Sequence, residues 1–481
     1  MELQSLQVAV FIGVTALIGF ATYLKCRNTR SHSPDSNKEY FLAGGGLSWV
    51  FVAGSITLTN LSTDQLVGMN GNQMALLAWW ELAAVVGLFI LAKVFLPVYY
   101  RYNCTTTTEL LEKRYNDHHI RATIAVLFLL GNVFIYLPIM LYTGSLFMKS
   151  MFGVEAPILL ISAVFAVIGA AYAIFGGLRA VAVSDTYSGI ILLSMGVAVV
   201  YLSLQAIGFD FEGIPRERLT MIGDSTSPIP WHALLTGMIF IQMFYWSTNQ
   251  TITQRAMAAP NVKEAQKGVF AAAGIRLLLI PPMIVLPGIV SYKLYGDVGD
   301  AAYGRIVGDV LPVWMSGAFA AAIAAAVLTS FNSILNSSAT LYVCDIHEKY
   351  FKAKPNVARL NAAITIGFVV LAIALVPVYD GAASIINLVQ QLNGLLSMPI
   401  LSVFIVGLLF TDVDARAAIL GVVFGVGLYA VFTFIWTPMH YIHLMFITLW
   451  VTVAFSLTIN RAVFGKRAVF VFGKAKAMPA E

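Results

Sequence analysis

The chain has 481 residues, 59% of them hydrophobic and only 11% charged, with a formal net charge of +5. A soluble chain of this length carries about 25% charged residues, so the composition excludes the soluble globular classes and points to an all-α polytopic membrane protein. The three Cys (Cys26, Cys104 and Cys344) stand in no metal-ligand spacing and fall near one side of the membrane on the topology below, which reads as reduced, structural thiols.

The first element, LQVAVFIGVTALIGFATYLK, lacks a basic start and a small-residue cleavage site, and reads as a retained helix. A helix needs about 20 apolar residues to cross ~30 Å of hydrocarbon. By that measure thirteen spans are expected, at 6–25, 46–71, 75–100, 121–151, 157–176, 180–207, 231–254, 266–292, 308–344, 358–378, 383–410, 415–437 and 440–460. With the N-terminus outside and the C-terminus inside, 22 of the 29 Lys and Arg fall in inner segments, four in outer loops and three within spans. That asymmetry fixes the orientation by the positive-inside rule. It also explains the net charge through contact with inner-leaflet lipid, without nucleic acid or an obligate protein partner. Lys93 and Lys149 lie close enough to span ends to snorkel.

Taken in chain order, the spans carry polar interruptions that lipid does not tolerate. NLSTDQLVGMNGNQ, Asn60 to Gln73, places polar residues and two Gly inside the second span. Unwound backbone at that depth is tolerable only where it lines a cavity. Asp64 lies within this interruption, facing either a neighbouring helix or the outer vestibule; Glu81 and Asp185 follow, then a second interruption in the seventh span, GMIFIQMFYWSTNQTITQR, then Arg276. Intramembrane ionisable groups mark a pathway or form a structural ion pair. The two interruptions are five spans apart. Five is odd, so a second copy of a five-helix unit lies inverted in the membrane. Paired broken helices in inverted repeats are the pattern of secondary transporters, although kinked helices also occur in channels and receptors. A third polar cluster, AAAVLTSFNSILNSSATLY, reads either as close helix packing or as a hard-cation site using Thr329, Ser330 and the Ala326 carbonyl, with Asp185 nearby. No Walker-type phosphate loop and no HExxH occurs, which argues against an enzyme and against an ATP-driven pump. His118–His119 reads as a solvated inner-loop pair.

Several of these stretches resemble one family. NLSTDQLVGMNG, TTTELLEKRY, FGGLRAVAVSDT, FYWSTNQTITQR, VLPGI and LNSSATL, beginning near EYFLAGGGLS (Glu39 to Ser48) and reaching about residue 410, are similar to the sodium/solute symporters, and within them to the sodium/sugar cotransporter branch. The resemblance implies a leucine-transporter-like 5+5 inverted repeat with one extra N-terminal helix and two C-terminal helices. The first repeat would occupy 39–207, an outer loop 208–229, the second repeat 230–410 and the C-terminal helices 411–481. It implies sodium-coupled import of a sugar, a monosaccharide above all, by alternating access across the plasma membrane, with Na+ as coupling ion.

Carried over position by position, the resemblance implies a sugar pocket of Asn60, Gln65, Glu81, Gln242, Arg276 and Gln390, with Gln391 as register alternative. Tyr245 would cap the sugar from the inner side, beside Trp246. Amides and a carboxylate suit sugar hydroxyls, and aromatic rings suit the apolar sugar face. Na+ would take the carbonyls of Leu58, Leu61 and Ala326 and the hydroxyls of Thr329 and Ser330, between the first broken helix and the 308–344 helix, with Asp185 close by. Ser184, Asp185 and Ser333 leave room for a second ion. The chain has Arg276 where the branch has Lys; Arg pairs as a rigid fork, with Glu81 or with a substrate carboxylate. It also lacks, in FLLGNVFIYLPIMLY, the arginine that the sialic-acid branch uses. An acidic sugar, a polyol or an amino acid is the alternative solute, and a non-concentrating sensor or uniporter the alternative class.

Overall fold

The computed structural model describes residues 2–27, 41–153, 155–351, 356–380, 382 and 384–471. The inner segment 28–38, Glu39, Tyr40, the side chain of Cys26 and the tail from 472 onward lie outside the described residues. The elements are α1 (Glu2–Arg27), α2 (Trp49–Asn60), α3 (Thr63–Gly71), α4 (Ala75–Arg101), α5 (Thr107–Tyr115), α6 (His118–Phe152) and α7 (Ile158–Ala206). Then follow α8 (Gly237–Ser247), α9 (Gln250–Met257), α10 (Val262–Tyr295), α11 (Ala302–Val310), α12 (Val313–Tyr350), α13 (Val357–Leu375), α14 (Ile385–Leu409), α15 (Ala415–Phe434) and α16 (Tyr441–Ala462). Nine helices among the described residues are long and apolar enough to cross a bilayer, with two shorter apolar stretches at Ala9–Lys25 and Ile158–Ala171.

Both expected interruptions are real breaks, between α2 and α3 and between α8 and α9. Their packing follows the inverted repeat. The first broken helix packs on α10 and on α7, and the second packs on α4 and on α14. Counted as spans, 2 against 8 and 6 becomes 7 against 3 and 11, which is the five-span exchange that a 5+5 repeat requires. The fold is leucine-transporter-like. Cys104 and Cys344 are buried free thiols.

Two span boundaries differ from expectation. The expected 308–344 span begins at Val313, because Pro312 cannot continue the preceding helix, and the residues before it form the separate α11. The expected inner turn at 177–180 is helical, so the fifth and sixth spans form one run, α7, of 49 residues. A straight helix of that length would measure about 74 Å, more than twice the hydrocarbon core. Its two apolar stretches, Ile158–Ala171 and Leu178–Ala206, therefore follow one another without a loop. Gly169 and Asp185 accordingly lie against Phe331 and Thr329, two residues apart on α12.

Candidate functional site

The site is built where both helices break. At the first break Leu61 (φ −78°, ψ 73°) and Ser62 (φ −108°, ψ 179°) leave the helical region. Short polar side chains favour such turns over helix interiors. At the second break Asn249 caps α9, its side-chain oxygen accepting from Thr251 N at 2.9 Å. The glycine of α4 beside this break is forced by close approach: a Cβ on Gly87 would stand 2.6 Å from Trp246 Cδ1.

Between the breaks lies a small cavity of about 50 Å³. Asn60, Gln65, Glu81, Gln242, Tyr245, Trp246 and Gln390 all line it. Gln390 rather than Gln391 therefore faces the cavity. Arg276 does not line it. It is fully buried behind the wall, ion-paired to Glu81, 3.4 Å from Gln65 Oε1 and 3.3 Å from the Thr57 carbonyl, with its guanidinium 4.7 Å over the Trp246 ring. Of the two partners expected for this arginine, Glu81 is the one it has, through Nη2 alone.

The amides are fixed by this pair. Gln65 donates to Glu81 Oε1 at 2.7 Å. Asn60 is satisfied with Oδ1 toward Arg276 and toward Gln65 Nε2 (3.0 Å), and Nδ2 toward Tyr245 Oη (2.7 Å). Trp246 Nε1 donates to Gln242 Oε1 at 2.9 Å, and Gln242 Nε2 to the Trp80 carbonyl at 2.9 Å. The result is a preorganised wall of hydrogen-bonding groups and aromatic edges. Asp64, which the sequence left unplaced, also lines the cavity, with Tyr136 and Asn393.

A second set of oxygens gathers on the other side of the first break. Ser330 Oγ lies 3.4 Å from the carbonyls of both Leu58 and Thr59. Two oxygens that far apart can share one hard cation at about 2.4 Å. Thr329 Oγ1 lies 3.3 Å from the Ala326 carbonyl and against Asp185. Asp185 is fully buried and accepts from Ser55 Oγ at 2.6 Å. Leu61 follows at the break itself. Ser184 is buried, and Ser333 Oγ sits 3.4 Å from Thr59 Oγ1. All donors are hard oxygens, which suit Na+ and not a soft metal. No group of three or more His, Cys, Asp or Glu able to hold a metal occurs among the described residues.

Two buried arginines differ from their expected loop positions. Arg255, counted there as an inner-loop charge, is fully buried on α9 and donates to Thr59 Oγ1 at 2.9 Å. Arg121, also counted as an inner charge, pairs with buried Asp345 (2.6 Å) and with Glu112 (2.6 Å). For Arg255 the available signal was its intramembrane partner, Thr59 beside Asp185; Asp345 lies one residue beyond the expected 308–344 span and gave none.

The sodium:solute symporter family model matches residues 40–425. An uncharacterized symporter of Escherichia coli (strain K12), YidK, is 34% identical over 95% of this chain and 84% of its own length. The sodium/glucose cotransporter of Vibrio parahaemolyticus is 31% identical over 88% of this chain and 84% of its own length. Among solved structures, a Na+-coupled sialic acid symporter in a substrate-bound, outward-open state superposes with a TM-score of 0.81 at 17% identity, covering 95% of this chain and 97% of its own.

Proposed function

We propose that this chain, which belongs to the sodium:solute symporter family, imports a sugar by alternating access across the plasma membrane. As a member of that family it is a multi-pass membrane protein that moves a small-molecule solute with Na+ as coupling ion. The sugar reading rests on one observation: Asn60, Gln65 and Glu81 form a continuous hydrogen-bonded wall beside the Tyr245 and Trp246 rings, in one cavity between two broken helices. Hydroxyls both donate and accept, so a wall of amides and a carboxylate reads them, while ring faces cover the sugar's apolar face. The 31% identity to a sodium/glucose cotransporter supports the same class.

Na+ binds the carbonyls of Leu58, Leu61 and Ala326 and the hydroxyls of Thr329 and Ser330, with the Asp185 carboxylate near enough to offset its charge. The ion holds the first break in one arrangement. That same break presents Asn60 and Gln65 to the sugar, so the two ligands stabilise a common state. The two repeats, 39–207 and 230–410, then rock against one another around this site, with the N-terminus outside and the C-terminus inside. The alternative of an acidic solute loses ground because Arg276 is already committed to Glu81.

The test is uptake of radiolabelled glucose into proteoliposomes. An inward Na+ gradient should drive accumulation above the external concentration, and Ser330→Ala should abolish the gradient dependence. Glucose entry of equal rate and extent with and without Na+ would contradict the proposal.

A further inference from the structure

Resting on the reading of this cavity as a sugar site, we propose that Asp64 is a specificity-determining residue that, with Tyr136, admits neutral polyhydroxy compounds and repels carboxylate-bearing ones. Asp64 lines the cavity and is 8% exposed. It carries the one carboxylate of the lining that is not ion-paired. The other, Glu81, is neutralised by Arg276, whose guanidinium is fully buried outside the lining. Among the described residues the lining contains no Lys, Arg or His. A substrate carboxylate therefore meets a like charge with no free cation to answer it, and such juxtaposition in a desolvated site is a strong device against a wrong ligand.

The same geometry says why Asp64 does not require a cationic substrate. Asp64 stands in the first turn of α3, where the helix dipole and the free N–H groups favour negative charge. Ser62 Oγ donates to its Oδ1, and the Gln65 N–H faces it. These contacts offset part of the cost of burying the carboxylate and leave it acceptor capacity for a hydroxyl. On the same lining, Tyr136 is the complementary donor: its hydroxyl is buried and has no hydrogen-bond partner among the described residues. A ligand hydroxyl between the two donates to Asp64 and accepts from Tyr136, which fills both vacancies. An ammonium could donate to Asp64 and to the Tyr136 oxygen, but it has no lone pair for the Tyr136 proton, which only a ligand hydroxyl satisfies.

The experiment is competition against labelled glucose binding in Na+, using the full-length protein in detergent, with glucuronate and glucosamine as charged counterparts of similar shape. Wild-type protein should bind glucose at least about tenfold more tightly than glucuronate, and no more weakly than glucosamine. Asp64→Asn should shrink the glucose-to-glucuronate ratio to under about threefold while weakening glucose by a few-fold. Tyr136→Phe should weaken both by a similar factor, about 5- to 30-fold, and leave the ratio unchanged. Equal wild-type affinity for glucose and glucuronate, an unchanged ratio in Asp64→Asn, or glucosamine binding tenfold tighter than glucose would each overturn the role of Asp64 while leaving the sugar reading intact. Absence of any Na+-dependent binding of glucose would overturn both.

Discussion

Removing the Arg276 guanidinium is the sharpest test of how the cavity wall is held. Arg276→Ala leaves Glu81 buried without its counter-charge, and Gln65 Oε1 and the Thr57 carbonyl lose a donor. Breaking one side of a buried pair costs about 3–5 kcal/mol, chiefly from the charge left behind. Glu81→Gln alone leaves a buried guanidinium and should cost a similar amount. The double variant leaves neither charge unpaired, so it should be less destabilised than the sum of the two by about 2 kcal/mol or more. Arg276→Lys keeps the charge but loses the Nη1 bond to Thr57 at 3.3 Å and the flat contact 4.7 Å over Trp246, which together are worth about 1–2 kcal/mol. The assay is denaturant unfolding in detergent micelles, paired with glucose binding, because Gln65 and Asn60 take their orientation from this pair. Coupling near zero, with the single-variant effects simply adding, would refute the view that these two charges hold each other in the wall.

Two further outcomes follow from positions outside the pair. Asp300, in the loop between α10 and α11, accepts from Ile385 N at 3.0 Å and its carboxyl is pushed up to about 6 by burial. An acid whose folded pKa lies above its ordinary value loses native stability as pH rises from about 4 through 6, so Asp300→Asn should raise thermal stability at pH 7.5 by about 1–2 kcal/mol, discounted for partial exposure, and leave it unchanged at pH 4. An equal effect at both pH values would show that its ionisation is not the cause. Gly87→Ala should cost about 1–3 kcal/mol and weaken glucose binding, since the added methyl enters the space of the Gln242 carbonyl and Trp246; normal binding by a fully folded Gly87→Ala protein would show that the second break can shift freely.

What could be read from the sequence was whatever a bilayer forbids. Asn60 to Gln65 and Gln242 to Gln250 stand out against apolar flanks because unsatisfied polar groups in lipid are so costly, and their odd spacing fixed the inverted relation before any contact was known. Partners were not legible. Arg276 could face Glu81 or a substrate, and only three-dimensional packing closes it onto Glu81 and Trp246. Arg255 looked like a loop cation because hydropathy registers a charge at a span's end, not the half-helix α9 turning back into the protein to reach Thr59. Pro312 was visible, but the apolar residues that flank it (Val310, Leu311, Val313 and Trp314) concealed the junction between α11 and α12. Asp64 was noticed and unassigned, because which side of a broken helix faces the cavity depends on the angles at Leu61 and Ser62.

The central claim is that one broken helix serves both ligands, with Leu58 and Leu61 facing Na+ and Asn60 and Gln65 facing the sugar. Reciprocal linkage tests it most directly. Glucose affinity is measured at zero and saturating Na+, and Na+ affinity at zero and saturating glucose, by the fluorescence change of the tryptophans that line the cavity. The account predicts that each ligand tightens the other by the same factor, about 5- to 150-fold, and that Ser330→Ala brings that factor close to one. Glucose affinity that is the same with and without Na+ would contradict it.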